Sequence, residues 1–282
     1  MDCCLEIPGY FTSQRQAEHL RRLRREFPFV YIHELTRTAH GRPIHALQIG
    51  SGDRKLLLTA GHHANETITS EVLWRFLFTY CEALRAERTV CGADAFQLYH
   101  GAMVYLVPLV DPDGADLVAG AIAPGSAEYR AAAQIAAQFP DVPFPSGWKA
   151  NLSGVDLNLN YPARWETARR IKAAKGIARP APRDYPGHHP LDQPETAALA
   201  AYTACIRPDL MLALHTQGRV IYPGPKETAP EGGEPLAQAL AAASGYAVED
   251  VPAESANAGF KDWFLQRFHR SAFTVECGLG EN

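Results

Sequence analysis

His63 and Glu66 stand three residues apart, just after the short apolar run Lys55-Leu56-Leu57-Leu58-Thr59-Ala60 and its terminating Gly61. A strand that stops there delivers an imidazole and a carboxylate to one edge of a sheet, where both can converge on a single ion. The spacing by itself is weak: with 11 His and 31 Asp plus Glu in 282 residues, about one such match arises by accident. His189-Pro190-Leu191-Asp192 is a match of that kind, set in a Pro-rich loop with no strand before it. His215 strengthens the first pair because it directly follows a second apolar run, Leu210 to Leu214, and parallel strands would bring it to the same edge. Two histidines and one carboxylate leave a coordination position open, as in hydrolytic zinc sites, where the pKa of water falls toward about 7. Any one of these histidines alone reads as a hydrogen-bonded residue at a strand end.

Two further carboxylates suit the same chemistry. Asp156 offers a partner for the distal nitrogen of a ligand histidine, which would fix its tautomer and raise its basicity. Glu276 closes an apolar run between Val275 and Cys277, a place where a carboxylate suffers desolvation without reward unless it moves protons. His62, beside a ligand candidate, reads as loop packing.

These residues need elements to place them. Residues 12–26 carry Leu20 and Leu23 among many charges, the pattern of a surface helix whose Arg21-Arg22-Leu23-Arg24-Arg25 cluster faces water. Extended segments are expected at 28–34 and 43–49, a buried strand at 55–60, a long amphipathic helix at 67–87 and another buried strand at 103–109. Helices at 127–138 and 192–206, a strand at 210–214, a helix at 259–270 and a strand at 271–277 follow. The alternation implies parallel strands covered on both faces. From Asp111 to about Pro190 the chain is rich in Pro, Gly and small polar residues around the one helix at 127–138, more loop than a simple connection needs, and such loops build sites.

Composition narrows the alternatives. The 46% hydrophobic and 21% charged residues are those of an ordinary globular chain. A net charge of −4 gives no general attraction to nucleic acid or anionic membrane. No run approaches the roughly 20 apolar residues of a bilayer span, and Met1-Asp2-Cys3-Cys4-Leu5-Glu6 is unlike a secretory signal, so a cytoplasmic location is expected. The six scattered cysteines, with no Cys-x-x-Cys pair, read as reduced thiols.

Four ordered segments, Gly61-His62-His63-Ala64-Asn65-Glu66, Asp111-Pro112-Asp113-Gly114, Gly154-Val155-Asp156-Leu157-Asn158 and Phe273-Thr274-Val275-Glu276, resemble the zinc carboxypeptidase superfamily. Trp148-Lys149-Ala150-Asn151, His215-Thr216-Gln217-Gly218 and Ala258-Gly259-Phe260-Lys261-Asp262-Trp263-Phe264 are similar to its branch of γ-D-glutamyl-L-diamino-acid endopeptidases, which cut bacterial cell-wall peptides. The resemblance implies one α/β domain over residues 1–282, built on a mixed, mainly parallel eight-stranded sheet with helices on both faces. It implies one zinc ion held by His63, Glu66 and His215, with Asp156 orienting His63 and Glu276 serving as general base and then acid. Lys149 is placed to stabilise the oxyanion and Asn158 to bind substrate. The implied substrate is an acidic cell-wall peptide cut between γ-D-glutamate and meso-diaminopimelate.

The sequence departs from carboxypeptidases where specificity is set. Leu159 follows Asn158 in place of an Arg that grips the terminal carboxylate, and Leu159 can make no such bidentate contact. Glu254 stands near the place of a mobile tyrosine, and the chain stops at Gly280-Glu281-Asn282, where relatives continue into a further helix. The basic residues Arg164, Arg169, Arg170, Lys172, Lys175, Arg179 and Arg183 are candidates to meet substrate carboxylates. The alternatives on the same site are a metallocarboxypeptidase or N-acyl amino-acid deacylase of other specificity, or a muropeptide-binding protein without turnover.

Overall fold

A computed structural model describes residues 9–224, 230, 232–252 and 255–279. The Cys3-Cys4 pair, Glu254 and the Gly280-Glu281-Asn282 end lie outside the described residues. In chain order the elements are α1 (Ser13–Glu26), β1 (Tyr31–Arg37), β2 (Pro43–Gly50), β3 (Arg54–Thr59), α2 (Ile68–Arg85), β4 (Thr89–Val90), β5 (Ala93–Asp94), α3 (Ala95–Gly101) and β6 (Ala102–Val107). They continue as α4 (Pro112–Val118), α5 (Ala127–Ala136), a 3-10 turn (Leu157–Leu159), α6 (Trp165–Ala174), α7 (Pro194–Ile206), β7 (Leu210–His215), β8 (Val220–Tyr222), α8 (Gly233–Ser244), β9 (Ala247–Val248), α9 (Phe260–Phe268) and β10 (Ser271–Glu276).

Eight strands form one sheet in the order β1-β2-β6-β3-β7-β10-β8-β9. Its centre is parallel, through the pairings β6–β3, β3–β7 and β7–β10. The antiparallel pairs β1–β2 and β2–β6 lie on one side and β10–β8 on the other, so the sheet is mixed, as expected. Alternate side chains of each inner strand feed opposite layers. Val104 and Leu106 of β6 join Leu47, Ile49 and the α2 residues Trp74 and Leu77 in one core, with Leu20 and Leu23 of α1. Tyr105 and Val107 join Leu57, Met211, Ala213, Leu199 of α7 and Phe260 and Phe264 of α9 in the other. Both faces are therefore dry, which is why the inner strands read as continuous apolar runs.

The ends of the helices follow local chemistry. The Thr12 hydroxyl accepts a hydrogen bond from the Arg15 backbone N–H at 3.2 Å and opens α1. Asp111 caps α4 through Gly114 N–H at 2.8 Å, with Pro112 in the first turn. The segment from 111 to 190 is more helical than its composition suggests: α4 and α6 join the expected α5. Seven residues in α4 are too few to show a period, and its Pro and Gly resemble turn residues. Among the described residues no helix is long and apolar enough to cross a membrane.

Candidate active site

The parallel centre of the sheet aims β3, β7 and β10 in one direction, and the chain emerging from their carboxyl ends supplies the site. β3 runs out into Gly61, whose φ of +64° turns the backbone in the left-handed region. A Cβ there would come within 2.9 Å of the Leu109 and Ser70 side chains. The turn presents His63, and Glu66 follows as the chain bends into α2. β7 ends on His215 and β10 on Glu276.

Nδ1 of His63 lies 2.9 Å from Glu66 Oε1, Nδ1 of His215 lies 3.0 Å from Glu66 Oε2, and the two Nδ1 atoms are 3.3 Å apart. The three side chains are the group among the described residues whose donor atoms could hold a metal ion. Their spacing fits zinc: bonds of about 2.0–2.1 Å in a tetrahedron place neighbouring donors about 3.3 Å apart. Two facing imidazole nitrogens and one carboxylate also leave a coordination position open.

Around this centre the second set of contacts is complete. Asp156 Oδ1 lies 3.1 Å from Nε2 of His63, on the side away from Glu66, and also accepts from Asn158 N–H at 3.1 Å. Its Oδ2 accepts from Asp184 N–H at 3.2 Å. The carboxylate is thus locked, and it fixes the His63 ring so that Nδ1 faces the centre. Burial opposes ionisation of Asp156, but His63 and the bonds it receives hold its carboxyl well below the usual range. Glu66 is likewise held low against burial by His63 and Lys149. Burial pushes His63 down, yet the Glu66 and Asp156 carboxylates lift it to about 9. Two buried carboxylates make a strongly cation-seeking place.

Lys149 Nζ lies 2.7 Å from Glu66 Oε1. Its backbone ties two loops together, with Ala64 N–H donating to Lys149 O at 3.1 Å and Lys149 N–H to Pro182 O at 2.8 Å. Burial works against its charge, but Glu66 outweighs it and the pKa stands above the ordinary value. Glu276 is pushed upward mainly by burial. It lines a cavity of about 260 Å³ with Asn158, Thr216, Gln217, Tyr222, Lys261 and Asp262 among the wall residues. Asn158 Oδ1 accepts from Phe260 N–H at 3.1 Å, which leaves its amide nitrogen without a partner among the described residues.

The structure gathers His63, Glu66, His215, Asp156, Lys149, Asn158 and Glu276 around one cleft. His62 is packing, fully buried with its ring stacked 5.6 Å from His215. His189 sits in an exposed loop bonded to Pro190 O. The basic segment is largely engaged within itself: Lys172 and Arg183 pair with Asp184 and Arg169 with Glu166. Cys81, Cys91, Cys205 and Cys277 are free thiols. Sequence reasoning gave no role to Tyr222 or to the adjacent Lys261 and Asp262, whose signal is a charged pair set among the apolar Phe260, Trp263, Phe264 and Leu265 at the start of a helix. It also gave none to a larger cavity of about 560 Å³, which includes Tyr10, Phe11, Thr67, Ile68, Gln217 and Cys277 in its wall and meets the first at Thr216 and Gln217.

Fold and site together define a metal-dependent hydrolase built on a parallel-centred sheet. A zinc carboxypeptidase family model matches residues 17–282, and the chain belongs to that family, whose members use one zinc ion. It is 38% identical over 263 residues to γ-D-glutamyl-L-diamino acid endopeptidase 1 of Lysinibacillus sphaericus, covering 93% of this chain and 64% of that protein. It is 34% identical to the Bacillus subtilis (strain 168) protein YqgT, over 100% of this chain and 73% of the other. Carboxypeptidase A of Helicoverpa armigera shares the fold at a TM-score of 0.67 and 20% identity, over 97% of this chain and 66% of that one.

Proposed function

We infer that the protein hydrolyses the amide between γ-D-glutamate and meso-diaminopimelate in cell-wall peptides. The observation that carries the hydrolytic part is the placement of Glu276 beside the His63, Glu66 and His215 group. The substrate part is supported by the likeness to the Lysinibacillus enzyme and by Leu159, which gives no grip on a terminal carboxylate.

His63, Glu66 and His215 would hold the zinc. When bound, the ion supplies Lewis acidity toward an amide carbonyl and lowers the pKa of water. Asp156 keeps His63 turned toward the centre. Glu276 takes a proton from the attacking water and delivers a proton to the departing amine, a cycle for which a carboxyl raised by burial is suited. Lys149 brings its ammonium to the negative charge that develops on the carbonyl oxygen, a contribution of about 3 kcal/mol for one such donor. Asn158 offers its free amide to the residue in the cavity.

The test is incubation of zinc-loaded protein with L-Ala-γ-D-Glu-meso-diaminopimelate, followed by mass spectrometry, with a chelated sample alongside. Release of diaminopimelate that stops on chelation supports the reading. An intact peptide over protein carrying one zinc ion rules it out.

A further inference from the structure

The loop over residues 184–186 is bonded on one side to Asp156 and on the other to α6. It braces Asp156 twice: Asp184 N–H donates to Asp156 Oδ2 at 3.2 Å, and Tyr185 O accepts from Asp156 N–H at 2.8 Å. The other oxygen of that carboxylate holds Nε2 of His63 at 3.1 Å. From α6, Trp165 Nε1 donates to Pro186 O at 2.9 Å and Lys172 Nζ to Asp184 Oδ1 at 2.5 Å.

Lys172 is 6% exposed, on a helix face it shares with Trp165 and Ala168. An ammonium in such a place is unfavourable unless a carboxylate meets it, and the carboxylate is fixed in return. Asp184 has a φ of +68°, in the left-handed region that residues other than glycine rarely adopt. From this conformation its N–H meets Asp156. Its second oxygen accepts from Arg183 Nε at 2.9 Å, but Arg183 is exposed and adjacent in the chain. Lys172 is the contact that ties the Asp184 side chain to another element.

We propose that Lys172 is a positioning residue of the metal group: by pinning Asp184 to α6 it keeps the Asp184 N–H on Asp156, and so keeps Asp156 on His63. This rests on the reading in which His63, Glu66 and His215 hold zinc. Without Lys172 the Asp184 side chain turns to water, its backbone relaxes from the left-handed region, and Asp156 loses a donor. A histidine whose outer partner is loosened is a poorer ligand, and substitutions among such partners cost about 10–100-fold in metal affinity.

The test is the zinc Kd of the full chain, measured by competition with a chelator. Lys172→Met should raise it about tenfold, while Lys172→Arg, which keeps the charge and a donor, should recover most of the affinity. Asp184→Asn, which tolerates the left-handed backbone but gives up the charge, is the second variant should the Met protein not fold, and it should move the Kd in the same direction. On an Asp156→Asn background the effect of Lys172→Met should shrink to about twofold, because residues in one chain of contacts are not additive. Ala168→Gly is the control: Ala168 packs with Trp165 and Ala258, so the change loosens α6 without touching the ion pair and should leave the Kd at the wild-type value. A wild-type Kd for Lys172→Met, an undiminished rise on the Asp156→Asn background, or an equal rise in Ala168→Gly overturns the proposal and leaves the zinc reading intact. Zinc held by His215→Ala as tightly as by the wild type removes that reading and this inference with it.

Discussion

Glu276 and His215 face each other in register across the parallel ladder of β7 and β10, each the last residue of its strand. One strand end thus gives an imidazole of the metal group and its neighbour gives the carboxyl proposed as the proton carrier. Their separation is set by the sheet rather than by a loop, which holds the two functions at a fixed distance.

Replacement Glu276→Gln tests that division of labour. The amide is close in shape, and Glu276 is not part of the His63, Glu66 and His215 group. Zinc content should remain that of the wild type, while kcat falls about 10²–10⁴-fold for loss of the proton carrier. Turnover at the wild-type rate removes Glu276 from its role.

The inner strands and the residues at their ends are legible in the sequence for one reason. A strand buried on both faces must be apolar throughout, so Lys55 to Ala60 and Leu210 to Leu214 announce themselves, and polar residues just past them stand out. β8 and β9, with three and two residues, are too short to carry a period. α4 and α6 are hidden for different causes: α4 by length, α6 because its buried face includes Lys172, paired with Asp184 twelve positions later. Lys261 differs from Lys172, because its partner Asp262 is its neighbour in the sequence and only the burial of the pair is hidden there.

Lys149 serves two charges, Glu66 in the structure and the carbonyl oxygen in the proposed reaction. Lys149→Met should therefore act mainly on kcat, by about 10²–10³-fold, which is the usual effect of losing one oxyanion donor. KM should change far less, and Lys149→Arg should recover part of the rate. A loss confined to KM assigns Lys149 to ground-state binding instead.

Removing zinc should loosen the protein as well as silence it. Glu66 and Asp156 are buried carboxylates whose charge a bound cation balances. Thermal unfolding of chelated and zinc-loaded samples reads the linkage, which amounts to about 4 kcal/mol when free zinc exceeds its Kd a thousandfold. The same comparison on His215→Ala should show almost no response to zinc; an undiminished shift places the ion elsewhere.

The last prediction concerns Glu195, away from the metal group in the first turn of α7. Its Oε2 is buried without a hydrogen-bond partner among the described residues. Asn151 Nδ2 lies 3.5 Å from Oε1, a long contact. Burial, followed by the Asp113 carboxylate, pushes Glu195 up to about 7, against 4.5 for the free group. The folded state thus binds a proton that the unfolded chain has already released between these values, so stability falls as pH rises through this window. The stabilising contribution is fully present below pH 4.5 and is lost by the time pH has passed about 7. Glu195→Gln mimics the protonated carboxyl and has nothing to lose. Urea unfolding of both proteins, zinc-loaded, at pH 5 and pH 8 cancels the other titrating groups in the difference. The variant should gain on the wild type by up to about 3 kcal/mol between the two conditions. A difference that stays constant with pH means that Glu195 is ionised in the fold at both, with its charge met by water.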